Sequence, residues 1–290
     1  MDKIKVLLLA MTGFGNNALE TLLKMRSVEV VGVIIPKGRR HFFPYYKCEQ
    51  LQDNVKNIGM PMFEVDTLWD KKIKEKIRRM SPDLIVVATF SKIIPKDVIS
   101  IPRFGVINIH PSLLPKYRGA TPTVWALING EGETGVTAHF IEDEKIDSGR
   151  IISQSKLKIR PSDTDGRLRH KLSMLSKKVL KKAISLVLAK DKKYFSPQNE
   201  TYAASYPKRT IKDAEIDMNR SFEEIWNRIR AVTPYPGARL RCNGREYVVD
   251  KISRIKKGFI GRNVRVIGSD IICKTKSCLF KFRISKNSIK

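Results

Sequence analysis

The chain has 290 residues, with 56 Lys/Arg against 29 Asp/Glu and a formal net charge of +27. That length allows one large domain or two smaller ones and a properly buried core. No run of about 18 apolar residues occurs, so no membrane-spanning helix is expected. The four cysteines form no CxxC pair and have no histidine nearby, which argues against zinc and for reduced thiols in a cytoplasmic protein.

Ile4 to Ala10 is an unbroken apolar run of strand length, as expected of a central parallel strand. It leads into Thr12-Gly13-Phe14-Gly15 instead of a cleavage site, so the N-terminus reads as a first strand and not a signal peptide. Thr12 to Asn17 reads as a turn, Ala18 to Met25 as a helix and Val28 to Ile35 as a second strand, which makes a βαβ unit. The third glycine of a dinucleotide loop is missing, so Gly13-x-Gly15 reads as a plain β–α turn. The segment Pro36 to Lys47 mixes basic and aromatic residues. It suits an acceptor-binding loop through Arg39, Arg40 and Tyr45, or a basic surface loop with tucked aromatics.

Further helices are expected over Lys47–Gly59 and Trp69–Met80, and strands over Met60–Val65 and Leu84–Thr89. Val106 to His110 continues as a buried strand. Asn108 and His110, two apart, project to one side of it. Pro111, Pro115 and Gly119 then punctuate a stiff loop at the strand's C-terminal end, where α/β proteins place their sites. Ala120–Asn129 fits a helix with Thr121 as N-cap and Pro122 in its first position. Strands follow over Gly135–Ile141 and Arg150–Ile159, with an acidic loop between them. Asp163–Ala189 is a long basic helix containing His170, a surface residue. His139 lies mid-strand and reads as core or pocket wall.

Residues 190–208 form a polar linker between a first domain, 1–189, and a second, 209–290. The second opens with a helix over Ser221–Ala231, whose Ser221 and Glu224 fit a capping box. Short strands and turn signals after it suggest a small β-barrel. Residues 207–290 hold 21 Lys/Arg against 8 Asp/Glu, a net +13, while 1–206 carry +14 over many more residues. Such a balance suits a polyanion such as RNA through counterion release, and it equally suits a lysine-rich composition that only aids solubility.

Asn108-x-His110-x-Ser112-Leu113-Leu114-Pro115-x-x-Arg118-Gly119, then Thr134-Gly135-Val136-Thr137 and Asp147-Ser148-Gly149, resemble the folate-dependent formyltransferases. The similarity is densest from Ser81 to Ile152. It implies a Rossmann-like α/β domain with a mostly parallel sheet, followed by a small C-terminal β-barrel-like domain. It also implies 10-formyltetrahydrofolate as co-substrate, without a metal. Asn108, His110 and Asp147 would be catalytic. Phe90, Lys92, Ile93, Ile94, Ser112, Leu113, Leu114, Pro115, Asp143 and Glu144 would border the folate, and Arg118 would face the acceptor.

A neutral histidine can take the amine's proton. Asn108 can donate to the developing oxyanion, and Asp147 can orient His110. The acceptor is expected to be a nucleotide-linked amino sugar. The Pro-Asp-Arg-Pro loop of the tRNA enzymes is missing, and Tyr206-Pro207-Lys208-Arg209-Thr210 resembles the aminoarabinose enzyme. The alternative acceptor is initiator methionyl-tRNA, favoured by the basic second domain.

Overall fold

The computed structural model describes residues 3–37, 48–189, 195–242, 244–255, 264–274 and 279–284. In chain order the first part contains β1 (Ile4–Ala10), α1 (Phe14–Leu23), β2 (Val28–Pro36), α2 (Leu51–Asn57), β3 (Met62–Val65), α3 (Lys71–Met80) and β4 (Leu84–Ala88). Next come α4 (Lys96–Ile99), β5 (Val106–His110), the two-residue β6 (Arg118–Gly119), α5 (Pro122–Ile128), β7 (Glu133–Ile141), β8 (Ile151–Lys158) and α6 (Asp165–Leu188). Seven of these strands form one sheet in the order β3-β2-β1-β4-β5-β7-β8. Pairing is parallel from β3 to β5; β7 then runs antiparallel to both β5 and β8.

Strand periodicity explains how one sheet serves two cores. Val6, Leu8 and Ala10 of β1 join the core under α1, α5 and α6, while Leu7 and Leu9 point to the opposite core under α3 and α4. Helix starts follow local chemistry. Asp70 accepts from the N–H groups of Lys72 and Ile73 to cap α3, and Thr164 caps α6. Helix α1 begins at Phe14, four residues before the expected start. Gly13 takes a φ of 99° there, and Asn16 Oδ1 accepts from its N–H, so Phe14–Asn17 of the expected turn are helix. Thr121 stands at the N-cap of α5, but its hydroxyl does not cap it. That hydroxyl instead donates to the Pro207 carbonyl and accepts from Arg209 N–H.

The second part contains β9 (Ser205–Tyr206), α7 (Phe222–Ala231), β10 (Ala238–Cys242), β11 (Arg245–Ile255), β12 (Val264–Ile267), β13 (Asp270–Lys274) and β14 (Leu279–Ile284). Five strands make an antiparallel sheet, β10-β11-β14-β13-β12, packed on α7. The expected capping box is present: Ser221 Oγ accepts from Glu224 N–H, and Glu224 Oε2 accepts from Ser221 N–H.

Residues 195–208 behave differently from a loose linker. Ser196 bridges Ile151, and β9 pairs with β6. Tyr206 stacks against both Tyr117 and Trp125, at 4.9 and 5.4 Å between ring centroids. The described part of this segment is an arm laid on the first domain.

Candidate active site

The site forms where the parallel sheet turns antiparallel. The β5–β7 register sets Asn108 opposite His139 and His110 opposite Thr137. Both members of each pair therefore face the same side. Thr137 Oγ1 donates to Ser112 O at 2.7 Å and accepts from Leu114 N–H at 3.2 Å. Gln154 Nε2 donates to Leu114 O and to Thr137 Oγ1. These bonds hold the loop after β5, which contains a cis Leu114–Pro115 peptide.

Asp147 arrives from the loop between β7 and β8 with a left-handed φ of 53°. Gly149 follows because a Cβ there would overlap the Phe140 carbonyl. The Asp147 side chain is 11% exposed, and four groups converge on it. Its Oδ1 accepts from Asn108 Nδ2 at 3.1 Å and lies 3.5 Å from His139 Nε2. Its Oδ2 accepts from Gly119 N–H at 2.9 Å and lies 3.4 Å from His110 Nδ1. Burial disfavours its charge, yet the two histidines and the Gly119 N–H overcome this and hold the carboxyl far below the usual carboxylate range.

The ring nitrogens have fixed roles. His110 Nε2 lies 2.8 Å from Tyr117 O, an acceptor only, so Nε2 carries a proton. Burial pushes the His110 pKa down, and the Asp147 carboxylate beside Nδ1 partly offsets this. His139 Nδ1 donates to Phe140 O at 2.8 Å, and its Nε2 lies 3.1 Å from Asn108 Nδ2 and 3.5 Å from Asp147 Oδ1. Asn108 Nδ2 thus donates to Asp147 Oδ1 and sits beside His139 Nε2.

The structure brings Asn108, His110 and Asp147 together, and it adds His139, whose part in the cluster depends on a strand register that residue type alone does not reveal. The residues expected around the folate divide by surroundings. Phe90 and Lys92 are half-buried and Ile93 is exposed, but Ile94 is turned into the core beneath α4. Ser112 is fully buried, its hydroxyl donates to Lys116 O, and its own carbonyl accepts from Thr137. Leu114 is buried, and Leu113 and Pro115 are half-buried. Asp143 and Glu144 are exposed. Glu144 Oε1 accepts from Lys96 N–H at 3.3 Å and joins the two loops. Ile93 and Ile146 stand exposed on these joined loops, a fit for a flat, partly apolar ring.

Arg118 departs from its expected place at the acceptor. It is buried, and four of its N–H donors bind Gln198 Oε1 and the Glu200 carboxylate. Arg39, Arg40 and Tyr45 lie outside the described residues. Among the described residues no cluster of His, Cys, Asp and Glu could hold a metal ion, and no helix is long and apolar enough to cross a membrane.

Comparison with known proteins gives two family matches: formyl transferase over residues 3–184, and formyl transferase C-terminal domain over residues 209–283. A methionyl-tRNA formyltransferase from Dictyoglomus turgidum is 37% identical over 243 residues, 83% of this chain and 74% of that protein. The bifunctional polymyxin resistance protein ArnA of Wigglesworthia glossinidia brevipalpis is 36% identical over 240 residues, 81% of this chain and 36% of that longer protein. Among solved structures, the N-formyltransferase from Helicobacter canadensis, in complex with folinic acid and dTDP-3-aminofucose, superposes with a TM-score of 0.73 at 23% identity. The match covers 97% of this chain and all of that one.

Proposed function

The chain belongs to the folate-dependent formyltransferase family, and from that premise we propose that it transfers a formyl group to the primary amine of a nucleotide-linked amino sugar. The observation that carries the chemistry is the convergence of Asn108, His110 and His139 on the buried carboxylate of Asp147. 10-Formyltetrahydrofolate supplies an activated formyl group on a nitrogen that leaves during transfer. The loops 90–94 and 143–147 would hold it, with the exposed Ile93 and Ile146 offering apolar surface to its ring.

The attacking amine must lose one proton as the new C–N bond forms. His110 receives it at Nδ1, because Nε2 is already occupied by its proton to Tyr117 O. The resulting imidazolium is held between that carbonyl and Asp147 Oδ2, and it gives the proton up to the departing nitrogen, so that His110 ends neutral and the leaving group protonated. Asp147 stays ionised throughout and orients the ring. Charge developing on the formyl oxygen is met by Asn108. Of its two N–H groups, one is bound to the Asp147 anion, so the other is the one turned to that oxygen.

The amino-sugar reading is supported by the absence of the tRNA enzymes' loop motif from residues 36–47 and by the pairing of the second domain's cations. Arg239 and Arg241 share Glu246, and Lys281 and Arg283 share Asp270, so two carboxylates offset part of the charge on the strands of the second sheet. A second reading, initiator methionyl-tRNA, is favoured by the identity with methionyl-tRNA formyltransferases and by the net +13 of residues 207–290.

Formyl transfer from 10-formyltetrahydrofolate to a panel of nucleotide-linked amino sugars, beside initiator methionyl-tRNA, decides between them. The sugar reading expects turnover on a sugar nucleotide with a shallow salt dependence. Turnover on tRNA alone, with KM rising steeply with salt, overturns it in favour of the second reading. Transfer to none of these acceptors overturns both.

A further inference from the structure

The arm that follows the first domain reaches the back of the site. Gln198 is 9% exposed, and its Nε2 donates at 2.8 Å to two main-chain carbonyls, those of Asp147 and Gly149. Its Oε1 accepts from Arg118 Nε at 3.1 Å and Nη2 at 2.8 Å. Each polar atom of the amide is therefore bonded twice. Arg118 is further clasped by Glu200, and its own N–H donates to Ala204 O. Ala204 N–H donates to Pro115 O on the other loop of the site. Gly119, whose N–H binds the Asp147 carboxylate, has a φ of 109°, and a Cβ there would overlap the Tyr206 carbonyl of the arm.

We propose that Gln198 is a positioning residue for the formyl transfer. Held by Arg118, it fixes the left-handed turn at Asp147 from behind, so that the carboxylate stays aligned on His110. A left-handed aspartate is a sparsely populated conformation that persists only when its surroundings over-determine it. The two hydrogen bonds from Gln198 supply that constraint from 49 and 51 residues away in sequence. The inference rests on the reading of Asp147 as the carboxylate that serves His110.

The test uses the full chain with Gln198→Glu, Gln198→Ala and Asp147→Asn. Glutamate at 198 retains an acceptor oxygen for Arg118 and so keeps the arm seated, while it removes both donors to the carbonyls. The expected result for Gln198→Glu is an unchanged Tm, a KM for 10-formyltetrahydrofolate within threefold and a kcat lowered about 10- to 100-fold, in line with the cost of a small misplacement at a site. The acid limb of its kcat–pH profile moves to lower pH, because a loosened Asp147 no longer supports protonated His110. Gln198→Ala shows the same pH shift even if its Tm falls. Loss of folded protein alone would scale kcat and leave the limb in place.

A Gln198→Glu enzyme with kcat within twofold of the parent, or lowered activity in both variants with an unmoved acid limb, overturns the proposal. Asp147→Asn separates the two levels. If it retains activity, the reading of Asp147 fails and the proposal with it; if it is inactive while Gln198→Glu is fully active, only the positioning role fails.

Discussion

The two sheets of this protein use apolar strands to opposite ends. The seven-stranded sheet is covered on both faces, and β1 feeds alternate residues into two separate cores. Its central strands have no wet face, while the edge strand β8 exposes Gln154, Lys156 and Lys158. The five-stranded sheet has one apolar face on α7. In β10, Ala238, Leu240 and Cys242 point inward, while Arg239 and Arg241 point out. Its polar residues are spread over a surface as ion pairs. The same chemistry, carboxylate beside cation, therefore produces a buried and strained site in one sheet and a solvated, individually weak pattern in the other.

The largest effect should come from the strand end of the first sheet. His110→Ala is expected to lower kcat/KM by about 10³-fold, within the range for removing a general base, with a thermal midpoint close to the parent's. Steady-state kinetics beside a melting curve would check both parts, and an active variant would sink the proposed proton route. In the second sheet the matching deletion acts on stability. Phe282 is fully buried in the α7 core, and Phe282→Ala should cost about 3–5 kcal/mol by urea denaturation. A cost near zero would mean that this core contributes little to the fold.

A third effect is titrational. The folded pKa of His110 is lowered, so the unfolded chain takes up that proton first, and stability should fall as pH drops below about 6.5. Asp147 is also lowered, so its contribution is present above its unfolded pKa and is lost as pH falls below about 4. Melting temperature against pH should therefore decline in two stages on the acid side, and His110→Ala should blunt the first. The smallest expected effect is at the surface. Ser221→Ala removes one side of the capping box of α7 and should cost about 1 kcal/mol, with kcat unchanged.

Much of the first sheet was legible in the chain, because a strand buried on both faces leaves a continuous apolar run. The pair Asn108 and His110 was legible for a related reason, since a period of two fixes their common side without any partner. His139 was not, because its side is defined only by its antiparallel register against Asn108, and register is a property of two strands. Arg118 was expected at the acceptor from the resemblance alone, and the structure has it buried. Its burial depends on Gln198 and Glu200, 80 and 82 positions downstream. Thr121 has the residue type of an N-cap, but its hydroxyl went to the arm instead. The errors cluster where long-range partners outcompete local ones.

The seating of residues 195–208 has a practical consequence for recombining modules among relatives. A chimera joined at the end of α6 would import a foreign Gln198 and Tyr206 against a native Arg118, Trp125 and Asp147, splitting one hydrogen-bonded unit between two ancestries. Placing the crossover after Arg209, beyond the Thr121 contacts, keeps that unit with the sheet it serves. The natural seam for grafting lies some twenty residues later than the end of the helix suggests.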